Sequence, residues 1–283
     1  MVVPVEAIDL RDKKVFRKGE FSIIYDLGDG RLLKKFPFHL VKMHYYEGFS
    51  FQDKFNSTLA DGIDEIVKPI TVTKYQGICD GYTMPKIKAG TLLDKIFPYD
   101  DNVDMNLFSS LYSKLEDVVK RGNEKGIVFP DLNPGNVLVG KDKIHFIDFD
   151  GIQMGREDKT IGTSAMIGER ERYKHLPLYT IKPYSYTTEL DKKSLACLIF
   201  NFLFQIPIES ELVQLDSNSR ELVVRYILEE MGILDSSLAY GLIRNMSDTK
   251  KGLYLDEFLK EFISEYEPNE YSESYLPVTY RRK

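Results

Sequence analysis

Asp131, Asn136 and Asp148 are the residues of this sequence whose types and spacing best suit metal and phosphate chemistry. Two short β-rich runs, 137–139 and 144–147, are separated by turn residues and therefore predict a hairpin. A hairpin returns the chain to its starting point, so Asn136 and Asp148 are expected side by side, with Asp131 upstream in the same loop. Two carboxylates and an amide oxygen suit a hard divalent cation such as Mg²⁺.

The same residues carry a resemblance to a known family. Residues 131–136, Asp-Leu-Asn-Pro-Gly-Asn, resemble the D-x-x-x-x-N catalytic loop of protein kinases, and residues 148–150, Asp-Phe-Asp, resemble their metal-binding D-F-G triplet. The resemblance implies a catalytic base at Asp131 and metal ligands at Asn136 and Asp148. It also gives Asn133 a place among the catalytic residues, where the family usually has lysine. Without the resemblance, Asp and Asn are also common turn formers.

Strand signals dominate the first third of the chain. Apolar runs near residues 15–36, separated by Gly19 and by a second glycine turn, predict an antiparallel meander. The stretch from Gly19 resembles the latter part of the kinase glycine-rich loop, although other residues replace two of its glycines. The resemblance implies nucleotide contacts from Gly19, Phe21, Ser22 and Ile24. For Gly19 alone, an ordinary hairpin tip is the alternative.

The next run matches the third strand of the family, whose lysine contacts the nucleotide phosphates. Strand alternation puts Leu32 and Lys34 on one face and Lys35 on the other. We expect Leu32 and Lys34 to contact the nucleotide, with Lys35 as the alternative lysine. In the family this lysine pairs with a helical glutamate, for which Glu47 is the candidate and Asp53 a competitor.

Residues 81–87 resemble the segment that links the two lobes of a kinase. In the family its backbone binds the adenine edge. The resemblance therefore implies contacts from the Pro85 carbonyl and the Ile87 amide, with Met84 as the gatekeeper. Leu138 is expected to contact the nucleotide as well.

The rest of the chain predicts mainly helices. Apolar spacing from Leu107 to residue 126 predicts a long helix, and Thr91 is expected to cap an earlier one. The stretch from Asp191 resembles the opening of the family's central helix, where an aspartate bonds the catalytic-loop backbone. A plain charge at the helix N-terminus is the alternative. The polar tail from Pro268 is expected to be loose.

The resemblance covers roughly residues 15–265. The chain resembles the protein-kinase-like superfamily, and within it a divergent Ser/Thr protein kinase of the bacterial type. Phe129 and Pro130 stand where the family has a His-Arg pair before the catalytic aspartate. The implied fold is α+β with two lobes. Residues 1–87 form an N-lobe of antiparallel sheet with one helix, 88–266 a mainly helical C-lobe, and 267–283 a polar tail.

Composition excludes several other classes of protein. The 283 residues carry a net charge of −6 with no basic stripe, so a nucleic-acid partner is not expected. The strongest apolar run, 195–204, is too short to span a membrane and is predicted to be a buried helix. Cys79 and Cys197 have apolar neighbours, which indicates reduced core thiols in a cytoplasmic protein.

The resemblance implies an ATP- and Mg²⁺-dependent phosphotransferase, foremost a Ser/Thr protein kinase that transfers the γ-phosphate to a protein hydroxyl. One alternative is a small-molecule phosphotransferase, because residues 131–136 also resemble the D-L-H-P-G-N loop of aminoglycoside and choline kinases. Another is a pseudokinase that binds nucleotide without catalysis. The substrate, the regulator and the oligomeric state stay open.

Overall fold

The structure is a computed structural model, and it describes most of the chain. The described residues are 3–19, 22–37, 54–56, 60–88, 90–97, 103–155, 187–206, 215, 217–247, 251–269 and 278–283.

The first part is an antiparallel sheet of five strands, in the order β1-β2-β3-β5-β4. Residues 4–6 run beside β4, where Val5 forms a parallel bridge with Val72. The strands are β1 Lys14–Lys18, β2 Ile23–Asp26, β3 Arg31–Lys35, β4 Thr71–Tyr75 and β5 Ile78–Pro85. The meander β1-β2-β3 is confirmed.

The residues from Ile66 to Lys74 predict one strand, but the observed strand β4 is shorter. It starts at Thr71, after Pro69, which has no N–H to donate to a strand ladder. Ile66 instead forms an isolated parallel bridge with Phe146 in the second part of the molecule. This stretch therefore joins the sheet to the region that carries the predicted metal ligands.

The second part is mainly helical. Its helices are α1 Leu93–Ile96, α2 Met105–Glu124, α3 Thr188–Leu198, α4 Ser217–Glu230, α5 Ser237–Met246 and α6 Asp256–Glu265. A π-helix, Ile199–Leu203, continues α3, and the whole apolar run 195–204 is buried as predicted. No helix among the described residues combines the length and the apolar character needed to cross a membrane.

Helix α2 begins two residues earlier than its apolar spacing indicates. Asp104 caps it by accepting hydrogen bonds from the N–H groups of Asn106 and Leu107, each at 3.0 Å. Leu107, which begins the apolar spacing, is 43% exposed. Phe108, one position later, faces the core instead.

Short strands connect these helices. The strands are β6 Thr91–Leu92, β7 Ile127–Val128, β8 Val137–Val139, β9 Ile144–Phe146 and β10 Gln153–Met154. Thr91 pairs with Val139, and α1 begins after Leu92 with no side-chain cap. The prediction that Thr91 caps a helix was wrong, because its backbone groups join a strand ladder.

The C-terminal end packs against the helices. Strand β11, Tyr266–Pro268, pairs with β12, Tyr280–Arg282. Tyr280 is 4% exposed, lies against the rings of Phe204 and Phe262, and donates its hydroxyl to the Leu203 carbonyl at 2.9 Å. The expectation of a loose tail was therefore wrong for residues 278–283.

Candidate active site

The loop that carries Asp131 is anchored by the first turn of α3. Asp191, fully buried there, accepts a hydrogen bond of 2.9 Å from the N–H of Phe129. When the amide nitrogen of Asn123 faces Asp191, it donates a hydrogen bond of 2.7 Å to the second carboxylate oxygen of Asp191. Burial raises the pKa of Asp191 well above its ordinary value. The contact implied by the resemblance is present, so Asp191 is more than a charge at a helix end.

Asp131 is oriented by the two amides of its own loop. Asn133 donates to one carboxylate oxygen at 2.9 Å, and Asn136 donates to the other at 2.6 Å. Burial raises the pKa of Asp131, and these two hydrogen bonds act in the opposite direction. Asn133 thus supplies a neutral donor that fixes the direction of the carboxylate.

The hairpin β8–β9 brings Asn136 and Asp148 together as predicted. The N–H of Ile147 donates to the Asn136 carbonyl at 3.1 Å, so the residues that flank the hairpin are neighbours. Asp131, Asn136 and Asp148 line one cavity of about 10 Å³, which is room for about one water molecule. Three oxygen-bearing side chains therefore converge on a single small space.

Lys34 connects the sheet to this space. Its ammonium contacts a carboxylate oxygen of Asp148 and both carboxylate oxygens of Asp150, at 2.8 and 3.0 Å. Burial alone would lower the pKa of Lys34, but the charges of the two carboxylates outweigh burial and raise it. Lys34 is only 8% exposed, so these ion pairs are well shielded from solvent.

The two aspartates beside Lys34 differ in their electrostatics. Burial raises the pKa of Asp148, and the nearby Asp150 carboxylate raises it further. Burial acts on Asp150 in the same direction, but the charge of Lys34 and the hydrogen bonds with Asp148, Lys34 and Tyr82 together outweigh it and lower the pKa of Asp150. Asp150 is therefore the carboxylate that the surrounding donors favour in its charged form.

Lys35 points the other way. Its ammonium contacts Asp80 of β5, which also accepts a hydrogen bond of 2.8 Å from the hydroxyl of Thr73. The strand alternation used to choose Lys34 is confirmed for the directions of the two side chains. Neither Asp148 nor Asp150 contacts Lys35 among the hydrogen bonds of the described residues.

The turn after Asp148 is packed against the helical residues 54–55. Residues Phe149–Gly151 form a 3₁₀ turn, and Phe149 is buried, with its ring 5.8 Å from that of Phe55. Lys54, next to Phe55, donates to the Asp150 carbonyl. The position of the turn is therefore set by both apolar and polar contacts.

The predicted nucleotide residues of the sheet lie on neighbouring strands. Ile24 pairs with Lys34 between β2 and β3, and Leu32 pairs with Met84 between β3 and β5. The N–H of Gly19 donates to the Ser22 carbonyl at 2.8 Å and closes the β1–β2 turn. The predictions for Phe21, Glu47 and Asp53 fall outside the described residues.

The predicted linker follows β5 directly. The N–H of Lys86 donates to the Gly30 carbonyl at 2.9 Å, which ties the linker to the β2–β3 turn. Pro85 and Ile87 both line a cavity of about 420 Å³. Leu138 packs against Gly90, where a β-carbon would lie 2.6 Å from the Leu138 side chain. The chain that follows the linker therefore lies against β8 at the junction of the two parts.

The residues present fit Mg²⁺ only with help from a bound nucleotide. Asn136 turns its amide nitrogen to Asp131, so its oxygen and the Asp148 carboxylate are hard ligands on one cavity. Within the described ranges, no group of three or more His, Cys, Asp or Glu residues is arranged to hold a metal. Phosphate oxygens and water would have to complete the coordination.

Sequence reasoning assigned no role to Asp150 or Tyr82. The hydroxyl of Tyr82 donates to Asp150 at 2.7 Å, and Tyr82 is fully buried. Two signals could have found them. An acid stands where the family triplet ends in glycine, and Tyr82 is the cross-strand partner of Lys34, so both side chains share one face of the sheet.

Comparisons with known proteins bear on the fold. No protein-family model and no curated protein matches the chain. Among solved structures, the Mycobacterium tuberculosis PknI kinase domain is 12% identical, with a TM-score of 0.53 over 90% of this chain and 97% of that one. A double mutant of that domain is 14% identical, with a TM-score of 0.56 over 89% and 95% of the two chains. The chain has a two-lobed, α+β protein-kinase-like fold.

Proposed function

We propose that this protein is an ATP- and Mg²⁺-dependent phosphotransferase that acts on Ser or Thr hydroxyl groups of a protein. One observation carries the proposal: Asp131, Asn136 and Asp148 line a single cavity, and Lys34 reaches Asp148 from the sheet. The protein-kinase-like fold supports this use of the four residues.

Each residue has one task in this proposal. Asp131 accepts the proton of the attacking hydroxyl, and its raised pKa suits a base better than an ordinary carboxylate would. Asn136 and Asp148 hold the metal, which neutralises charge on the phosphates when it is bound. Lys34 binds the phosphates, and the residues around Met84, Pro85 and Ile87 bind the base. Asn133 keeps Asp131 directed at the hydroxyl.

We propose a protein substrate and not a small molecule because of the contact between Asp191 and the backbone of the catalytic loop. The bond from the Phe129 N–H to Asp191 is the contact that the resemblance to protein kinases implies. The D-L-H-P-G-N likeness of residues 131–136 does not account for this contact.

The test is incubation of the purified protein with γ-labelled ATP and Mg²⁺, alone and with generic protein substrates. We expect transfer of label to protein, and loss of transfer when Mg²⁺ is chelated. Asp80→Asn serves as a control variant, because it neutralises a buried aspartate that contacts Lys35 and not Lys34. It is expected to transfer label as the wild-type protein does. Transfer only to small hydroxyl compounds would favour the small-molecule alternative. Nucleotide binding without any transfer would favour the pseudokinase.

A further inference from the structure

Lys34 contacts two carboxylates, and the proposed function requires one of them for the metal. Asp148 is that residue, so its contact with Lys34 is expected to weaken when metal and nucleotide bind. Asp150 has no such second task. Its two oxygens already contact the ammonium of Lys34 at 2.8 and 3.0 Å.

Asp150 is itself held in place by groups from two other segments. The buried hydroxyl of Tyr82 donates to its carboxylate at 2.7 Å, and Lys54 donates to its backbone carbonyl. Gly151 then provides the close approach to the catalytic loop, since a β-carbon there would lie 3.2 Å from the Asp131 side chain. The glycine of this turn, Gly151, therefore stands one position later than the glycine of the family triplet. Asp150 occupies the position of that glycine and presents a carboxylate there.

We propose that Asp150 is a positioning residue that holds Lys34 toward the nucleotide phosphates, and that Tyr82 orients Asp150 for this task. The inference rests on the proposed function. In the family this task belongs to a helical glutamate. The candidate for that glutamate, Glu47, lies outside the described residues, and the contacts of the described part of the chain assign the task to a carboxylate in the turn after Asp148.

The test is a mutant cycle read out by calorimetry with a non-hydrolysable ATP analogue and Mg²⁺. Asp150→Asn keeps the shape of the side chain and removes its charge. We expect it to weaken binding by about tenfold to a hundredfold, which is the usual effect of losing a hydrogen bond to a charged group. Asp150→Glu is expected to restore part of the loss. Asp80→Asn, in the matched Lys35 pair, is expected to bind like the wild type.

The cycle also tests whether Asp150 acts through Lys34. If it does, Asp150→Asn costs little further affinity in a Lys34→Met background. Full additivity of the two losses would overturn the inference, because Asp150 would then act independently, as a metal ligand or through the fold. Tyr82→Phe is a milder variant that keeps the ring. Its expected loss of affinity is smaller than that of Asp150→Asn, and we expect no further loss when Tyr82→Phe is added to Asp150→Asn.

Failure of the inference and failure of the proposed function are distinguishable. If Asp150→Asn and Tyr82→Phe both bind the nucleotide as tightly as the wild-type protein does, the inference is overturned but the proposed function is not. A wild-type protein that binds no nucleotide would overturn the proposed function and this inference with it. Thermal melts of every variant show whether a loss of binding reflects unfolding.

Discussion

The charge of Lys34 acts to lower the pKa of Asp131, Asp148 and Asp150 alike, but only the pKa of Asp150 falls below its ordinary value. Burial raises the pKa of Asp131 and Asp148, which favours their neutral forms and limits the negative charge in this poorly solvated space. The convergence of Asp131, Asn136 and Asp148 was predictable because the hairpin that brings them together has local turn signals. Asp150 was missed because its template position is a glycine.

The division of roles between two of these aspartates predicts two different phenotypes. Asp148→Ala removes a proposed metal ligand and is expected to abolish Mg²⁺-dependent nucleotide binding. Asp131→Ala is expected to leave binding intact and to lower turnover by about 10²- to 10⁴-fold, the usual effect of losing a positioned base. Calorimetry and turnover assays on both variants test this. Equal loss of nucleotide binding in the two would refute the assignment.

The two lysines of β3 provide a second comparison. Lys34→Met is expected to weaken nucleotide binding and turnover far more than Lys35→Met, because only Lys34 contacts Asp148 and Asp150. Lys35 contacts Asp80 on the other face of the sheet. Parallel titrations of the two variants with an ATP analogue measure the difference. A larger effect from Lys35→Met would mean that the nucleotide binds elsewhere.

Among the elements, α3 does most to position the catalytic loop, through the buried carboxylate of Asp191. The β8–β9 hairpin was predictable from sequence because its turn residues and β-branched residues are local signals. The strand pairing of Thr91 with Val139 was not predictable, since the partner lies far along the chain. The start of β4 was not predictable for the same reason, because Ile66, which precedes it, forms a bridge with the distant residue Phe146.

Asp191→Ala is expected to reduce the free energy of unfolding by about 1–3 kcal/mol, because it leaves the Phe129 N–H without its acceptor. Urea denaturation of the variant measures this loss. Turnover is expected to fall as well, since the loop that orients Asp131 loses its anchor. Glu267→Ala, which removes an exposed ion pair with Arg281, is the control and is expected to change stability little. A fully stable Asp191→Ala protein would contradict the anchoring role.

At the scale of the whole molecule, the resemblance of the motifs to those of protein kinases predicted the two-lobed fold correctly. The docked C-terminal end was not predictable, because the polar composition after Pro268 gives no sign that Tyr280 is buried. Its ring closes the aromatic cluster with Phe204 and Phe262. This ring and the pairing of β11 with β12 together hold the end of the chain against the helices.

Tyr280→Ala is expected to lower the free energy of unfolding by about 3–5 kcal/mol, as for other large aromatic truncations in a core. The reason is the loss of its ring contacts and of the hydrogen bond to the Leu203 carbonyl. Tyr240→Ala is a suitable control, since Tyr240 is 55% exposed. Denaturant titrations compare the two variants. Equal, small effects in both would show that the docked end contributes little to stability.

The five-stranded sheet has two edges, and each is protected from pairing with a second molecule in its own way. Residues 4–6 cover β4, with hydrogen bonds of 2.8 Å from the Glu6 N–H to Val72 and from the Val72 N–H to Pro4. Strand β1 carries Lys14, Arg17 and Lys18 and an irregular register, both of which discourage edge-to-edge aggregation. Deleting residues 1–6 is therefore expected to promote self-association, visible as increased light scattering at high protein concentration, whereas Val5→Ala, which keeps the backbone, is expected to remain dispersed.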